Sequence, residues 1–295
     1  MPIVCLMLLA GCSVKKYAIN QLGNALAGTG GTFGSDNDPE LIRAAVPFSL
    51  KLIESLLAET PNTRNLLLAA AQGFTQYSYA FVQEDADEMQ DSDRVKTTLL
   101  RLRAKNLYIR ARDYGMRGLE VSHKGFGDRL KAKPAAAVKE LKKADVPMMY
   151  WTALSWAAAI SVSKDLRMLP EIPRFEALVD RVMELDDSYD EGAMHGFLIT
   201  YEMSRLNQKP DKMEVAKAHF ERNLELSHNH QAAPLVNYAE NVAVARKDKA
   251  EFTDLLNRAL KIDPNGWPEH RQLNLVEQRR ARWLLSRTDK LFPAQ

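Results

Sequence analysis

Cysteine is nearly absent: the 295 residues include two, Cys5 and Cys12, both in the first dozen positions. No disulfide can staple the body and no thiol cluster can hold a metal there, so stability has to come from packing. The usual words of catalysis are missing too. None of the six histidines, His123, His195, His219, His228, His230 and His270, lies in H-E-x-x-H, and no G-x-S-x-G elbow occurs. Gly28 to Gly34, GTGGTFG, lacks the Gly-Lys-Ser/Thr ending of a phosphate loop and puts Phe33 where G-x-G-x-x-G needs its last glycine, so it reads as a flexible link. His228-Asn229-His230 falls in an expected turn without a nearby carboxylate set, and no metal site is expected there. No catalytic residue stands out, no cofactor is called for, and the chain is not read as an enzyme.

What is present is helical period. The composition, 46% hydrophobic and 26% charged, is that of an ordinary globular protein. Leu41, Ala44, Ala45, Phe48, Leu52, Ser55 and Leu56 follow three-and-four spacing after an Asp38-Pro39-Glu40 start, and are expected to form one buried stripe. The spacing recurs from Leu66 through Ala70 and Phe74 to Phe81. A long helix is expected after Asp91-Ser92-Asp93, with Leu99, Leu102, Ile109, Met116 and Leu119 on its apolar side. Further helices fit Pro134 to Lys143, Val146 to Ser163, Arg174 to Leu185, Glu191 to Arg205, Lys212 to Leu226, Gln231 to Ala245, Ala250 to Ile262 and Pro268 to Leu291, and no strand pair is evident. Turns beginning at 186, 227 and 263 are 41 and 36 residues apart, near the roughly 34-residue period of tetratricopeptide helix pairs. The expected fold is therefore all-α, an α-solenoid-like array of degenerate tetratricopeptide-like pairs, with residues 38–295 forming one helical-repeat domain.

The net charge of +2 conceals an asymmetry. Residues 36–93 carry eleven acidic and three basic side chains, whereas 94–143 carry fifteen basic and four acidic. Either two helical layers of opposite sign face each other, or the basic segment attracts an acidic partner, a carboxylate ligand or lipid headgroups. No nucleic-acid motif accompanies the charge, and nucleic acid is not an expected partner. Val146 to Ser163 carries no charge over eighteen residues, but its alanines, serines, threonine and Pro147 suit a buried helix better than a membrane span. Its Tyr150, Trp151 and Trp156 are candidates to border a cavity. His195 and Glu202, seven apart on one helical face with Tyr201 beside them, are a second candidate group. Arg279 and Arg280 are a third, as a carboxylate-binding pair or as helix-end ion-pair partners.

At the N-terminus the apolar run of Met1 to Gly11 is too short to span a bilayer and ends in Leu9-Ala10-Gly11-Cys12. It resembles the lipobox of bacterial lipoproteins, which implies removal of residues 1–11 and acylation of Cys12. No Lys or Arg precedes the run, which points to a start inside a longer signal sequence whose basic part is missing. Residues 12–37 would then be a lipidated terminus, a short helix at Tyr17 to Leu26 and the glycine-rich link.

Seven stretches carry a wider resemblance: NALAGTGGTFGSDNDPELIRAAVPFSLKLIESLLAETP, AFVQEDAD, RAKNLYIRARDYGMRGLE, DVPMMYWTALSWAAAIS, DEGAMHGFLITYE, AKAHFERNLELS and QRRARWLL. In order and coverage they resemble the T-component (TatT) family associated with TRAP transporters. The resemblance implies an extracytoplasmic, membrane-tethered lipoprotein and an oligomer, of which a trimer is one form. It also implies pairing with a TRAP solute-binding subunit and a part in passing a small apolar or carboxylate-bearing ligand. Ser13 after the cysteine leans towards the outer rather than the inner membrane. Two other classes remain open on sequence alone: a helical scaffold for envelope assembly without ligand transport, and a hydrolase using His195 or Glu202.

Overall fold

The computed structural model describes residues 31–163, 165–205 and 211–293. The expected signal, Cys12 and the helix at Tyr17 to Leu26 lie outside the described residues. The described residues are helices and connecting turns with no strand among them. The stretch expected as one helical-repeat domain packs as two compact units, one of residues 43–181 and one joining 31–42 to 182–293.

The first unit contains α1 (Pro39–Glu59, its first turn belonging to the other unit), α2 (Arg64–Tyr77), a π-helical turn (Ser78–Gln83), α3 (Glu84–Met89), α4 (Arg94–Ser122), α5 (Phe126–Ala132), α6 (Pro134–Ala137) and α7 (Val146–Ser163). α8 (Ile172–Leu185) runs from it into the second. α1 starts where the sequence says it should: Asp38 Oδ1 accepts from the Glu40 and Leu41 amides at 3.0 Å, and Pro39 fills the first position. Its buried stripe is not the expected one. Ile42, Leu50, Ile53 and Leu57 face inward, while Leu41 and Phe48 are 55% and 75% exposed. The helix is apolar on two sides, so periodicity alone cannot choose between them.

The same correction applies to α4. Its inward face is Thr97, Ala104, Tyr108, Ala111, Gly115, Gly118 and Leu119, mostly small residues, and Leu99 and Leu102 point outward. Small side chains win because they let α7 approach at backbone distance. A Cβ on Gly115 would sit 2.1 Å from Thr152 Oγ1, a separation no real side chain tolerates. α4 and α7 form the most extensive helix pairing of the unit. α7 has the expected bounds and buries Met148, Met149, Tyr150, Trp151 and Trp156 among others. No described helix is long and apolar enough to cross a membrane. Pro134 to Lys143, expected as one helix, is the single turn α6 followed by two 3-10 turns, because Leu141 is extended (ψ 144°).

The acidic and basic segments do face each other: Arg101 pairs with Asp87 at 3.3 Å and Arg110 with Glu54 at 3.5 Å. In the π-helical turn Phe81 O accepts from Arg43, which also pairs with Asp85 at 2.7 Å. Phe74 and Phe81 are buried, in line with their spacing.

The second unit contains α9 (Tyr189–Ser204), α10 (Lys212–Leu226), α11 (Ala233–Tyr238), a second π-helical turn (Ala239–Ala243), α12 (Val244–Arg246), α13 (Lys249–Lys261), α14 (Arg271–Ser286) and α15 (Thr288–Leu291). Ile199, Leu235, Val236, Phe252, Leu256 and Leu284 are in its core. The described end of the expected link is held here: Gln272 donates to Gly34 O at 3.0 Å from its amide and to Asp36 O at 2.8 Å from its side chain, and Arg271 donates to Ser35 O. The helix expected from Glu191 begins irregularly, since Asp190, Glu191 and Gly192 are all left-handed with φ of 48°, 54° and 80°. At Gly192 a Cβ would also lie 2.8 Å from the Leu226 side chain, so the position needs glycine twice over.

Candidate functional site

α4 presents a continuous outward face, Val95, Leu99, Leu102, Asn106, Arg110, Asp113 and Arg117, spaced by three and four residues. Its first half is apolar and open, with Val95, Leu99 and Leu102 73%, 61% and 54% exposed. Its second half lines a shallow cleft of about 360 Å³ with Asn106, Ile109, Arg110, Asp113, Tyr114 and Arg117. Local packing fixes this polar half. Tyr114 stacks on Phe74 at 5.9 Å and donates to Glu54 Oε1 at 2.8 Å, Arg110 lies over the Phe74 ring, and Arg117 donates to Pro61 O at 3.0 Å. Burial and the Glu54 carboxylate push the Tyr114 phenol up to about 12. Burial works against the charged form of Glu54, but hydrogen bonds from Lys51 and Tyr114 and the Arg110 charge hold its carboxyl below the ordinary range. Three exposed aliphatic side chains thus lie beside two arginines held by contacts within the unit. Leu99 and Leu102, expected on the apolar side of the helix, point outward because the rival stripe of Thr97, Ala104, Ala111, Gly115 and Gly118 is equally periodic and smaller.

The residues singled out from sequence are divided between the units. In the first, Tyr150 and Trp151 meet edge to face at 4.9 Å, and Trp156 Nε1 donates to Glu171 Oε2 at 2.6 Å. Arg112 lies over the Trp156 ring and reaches the same oxygen at 3.2 Å. All three aromatic residues are buried. In the second unit Tyr201 stacks on Phe197 at 5.3 Å, and Glu202 is buried and accepts from Arg205 at 2.9 Å. Arg280 makes two 2.7 Å bonds to Glu240 in the π-helical turn, and Arg279 is half-buried with partners of its own.

His195 is buried, with Nδ1 2.8 Å from His219 Nδ1 and Nε2 3.6 Å from Asp187 Oδ2. At that separation one Nδ1 must be bare, so the two rings share a single bridging proton. Burial pushes the His195 pKa down, Asp187 opposes it, and the Arg222 charge adds to the fall. The folded value lies below the unfolded one of roughly 6.5, so the unfolded chain binds more protons beneath that pH. Stability contributed here is present above about pH 6.5 and lost as pH falls through the folded value. Urea midpoints at about pH 7.5 and 5.5 should therefore fall more steeply for the wild type than for His195→Gln; equal slopes would refute the assignment.

The described residues are all-helical, with an amphipathic outward face on α4. The profile of the TRAP transporter T-component family matches residues 35–292, and the chain belongs to that family. An uncharacterized protein of Treponema pallidum (strain Nichols) is 27% identical over 307 residues, covering 97% of this chain and 94% of that protein. Membership makes the chain a component of a TRAP transporter rather than a member of an enzyme family.

Proposed function

We propose that this chain is the extracytoplasmic accessory subunit of a TRAP transporter, tethered by an acylated Cys12, and that it docks the solute-binding subunit on the outward face of α4. The family match over 35–292 carries the reading. The exposed Val95, Leu99 and Leu102 beside Arg110 and Arg117 support the choice of surface, since a partner's apolar anchor would be fixed in register by carboxylates at the cationic end. Passage of a small apolar or carboxylate-bearing solute between the two proteins completes the proposed role. Assembly into an oligomer, a trimer included, belongs to the same reading, with the exposed Phe48 on α1 as a contact point for a second copy. So does placement in the periplasm on the outer membrane. Extraction of the native protein in mild detergent, with mass spectrometry of its N-terminal peptide and co-purifying proteins, tests the reading. An acylated Cys12 accompanied by a TRAP solute-binding subunit is expected. A free Met1 terminus with cytosolic partners would overturn it.

A further inference from the structure

Three turns of the second unit each deliver one metal-ligating side chain to a single point. Glu191 opens α9, His230 precedes α11 and His270 precedes α14. They are 39 and 40 residues apart in sequence, one from every second connection between helices. His230 Nε2 is 2.8 Å and His270 Nε2 3.2 Å from the same oxygen, Glu191 Oε2, and the ligating atoms of the three residues lie within 4.8 Å of one another. We propose that Glu191, His230 and His270 form a binding site for a divalent transition-metal ion, Zn²⁺ foremost, that clamps these turns together.

The donor set selects the class of ion. Two imidazole nitrogens and one carboxylate suit Zn²⁺ and its neighbours, whereas Mg²⁺ and Ca²⁺ call for oxygen. Ligand atoms held ~2.0–2.1 Å from Zn²⁺ at tetrahedral angles lie roughly 3.3 Å apart. The Glu191–His270 pair has that spacing, and the Glu191–His230 pair needs to open by about half an ångström. Glu191, 31% exposed at its side chain, leaves the fourth position open to water.

The surroundings hold the ligands in place without the ion. Gln231 donates to Glu191 Oε2 at 2.8 Å, Asn223 to Glu191 O at 3.0 Å and Asn274 to His230 O at 2.9 Å. Trp267 stacks on the His230 ring at 4.1 Å. The left-handed backbone at Asp190 and Glu191, and again at His228 and Asn229, is strain located beside two of the three ligands. Binding requires each imidazole to carry its proton on Nδ1, with a bare Nε2 facing the ion. His230 Nδ1 is buried without a hydrogen-bond partner, so affinity is expected about 10–100-fold below that of a fully supported site.

The untagged, chelator-stripped full-length chain titrated with Co²⁺ tests the site. One equivalent is expected to give the strong visible absorption of a tetrahedral nitrogen and oxygen complex, displaced by Zn²⁺, and Zn²⁺ is expected to raise the melting temperature. Glu191→Gln and His270→Gln, at the two more accessible ligands, should each weaken Co²⁺ binding at least tenfold, with helical circular dichroism retained. His123→Asn, outside the site, should leave it unchanged. No saturable one-equivalent binding by the wild type would overturn the proposal, as would wild-type affinity in both ligand variants. The site stands independently of the transport reading.

Discussion

Leu99→Asp is expected to abolish the complex with the solute-binding subunit while leaving the fold intact. Leu99 is 61% exposed on α4, and surface substitutions away from special features usually change stability by about 0.5 kcal/mol or less. At the centre of a docking face the same change buries a carboxylate against an apolar anchor. A hot-spot loss of roughly 2 kcal/mol or more corresponds to at least ~30-fold weaker binding. Isothermal titration calorimetry alongside thermal melting separates the two effects. Val95→Asp should behave alike, and Arg117→Glu should act mainly through association rate and salt dependence, since a rim charge steers encounter. Unchanged affinity in both aspartate variants would remove α4 from the interface.

Gly115→Val should show the opposite pattern, a large loss of stability from an interior change. A Cβ there would lie 2.1 Å from Thr152 Oγ1 and 3.2 Å from the Thr152 Cα, so the side-chain rotamer cannot relieve the overlap fully and α7 must move. Overpacking costs about 1–3 kcal/mol and at times more. The upper end applies because backbone is involved, which lowers the melting temperature by roughly 6–12 °C for a unit of this size. Gly115→Ala places its methyl mainly against the hydroxyl of Thr152, so Thr152→Ala in that background should recover much of the loss. A double-mutant cycle reads this coupling directly. Additive effects of the two substitutions would mean that the helices are not in the close register described.

These two residues also show what the sequence could disclose. Element existence followed from local chemistry: Asp38-Pro39 starts α1, and eighteen uncharged residues from Val146 define α7. The inward side did not follow, because α1 and α4 each carry two periodic stripes and burial depends on the neighbour. On α4 the smaller stripe packs since Gly115 and Gly118 permit close approach, which leaves Leu99 and Leu102 exposed. The π-helical turns at Ser78–Gln83 and Ala239–Ala243 had no signature either; in the first, Phe81 O accepts from the remote Arg43, and in the second the Glu240 side chain pairs with Arg280. His230 offered no carboxylate in its own segment. Glu191, 39 residues earlier, reaches it through the packing of the second unit, a contact that no local pattern announces.

On the proposed reading, the outward face of α4 meets the solute-binding subunit. A photo-crosslinking residue placed at Leu99 in cells, followed by mass spectrometry of the adduct, tests it most directly. The expected adduct joins position 99 to a TRAP solute-binding subunit and is reduced when Arg117→Glu is added. An adduct formed only with a second copy of this chain, or none at Leu99 while the subunit still co-purifies, would contradict the account.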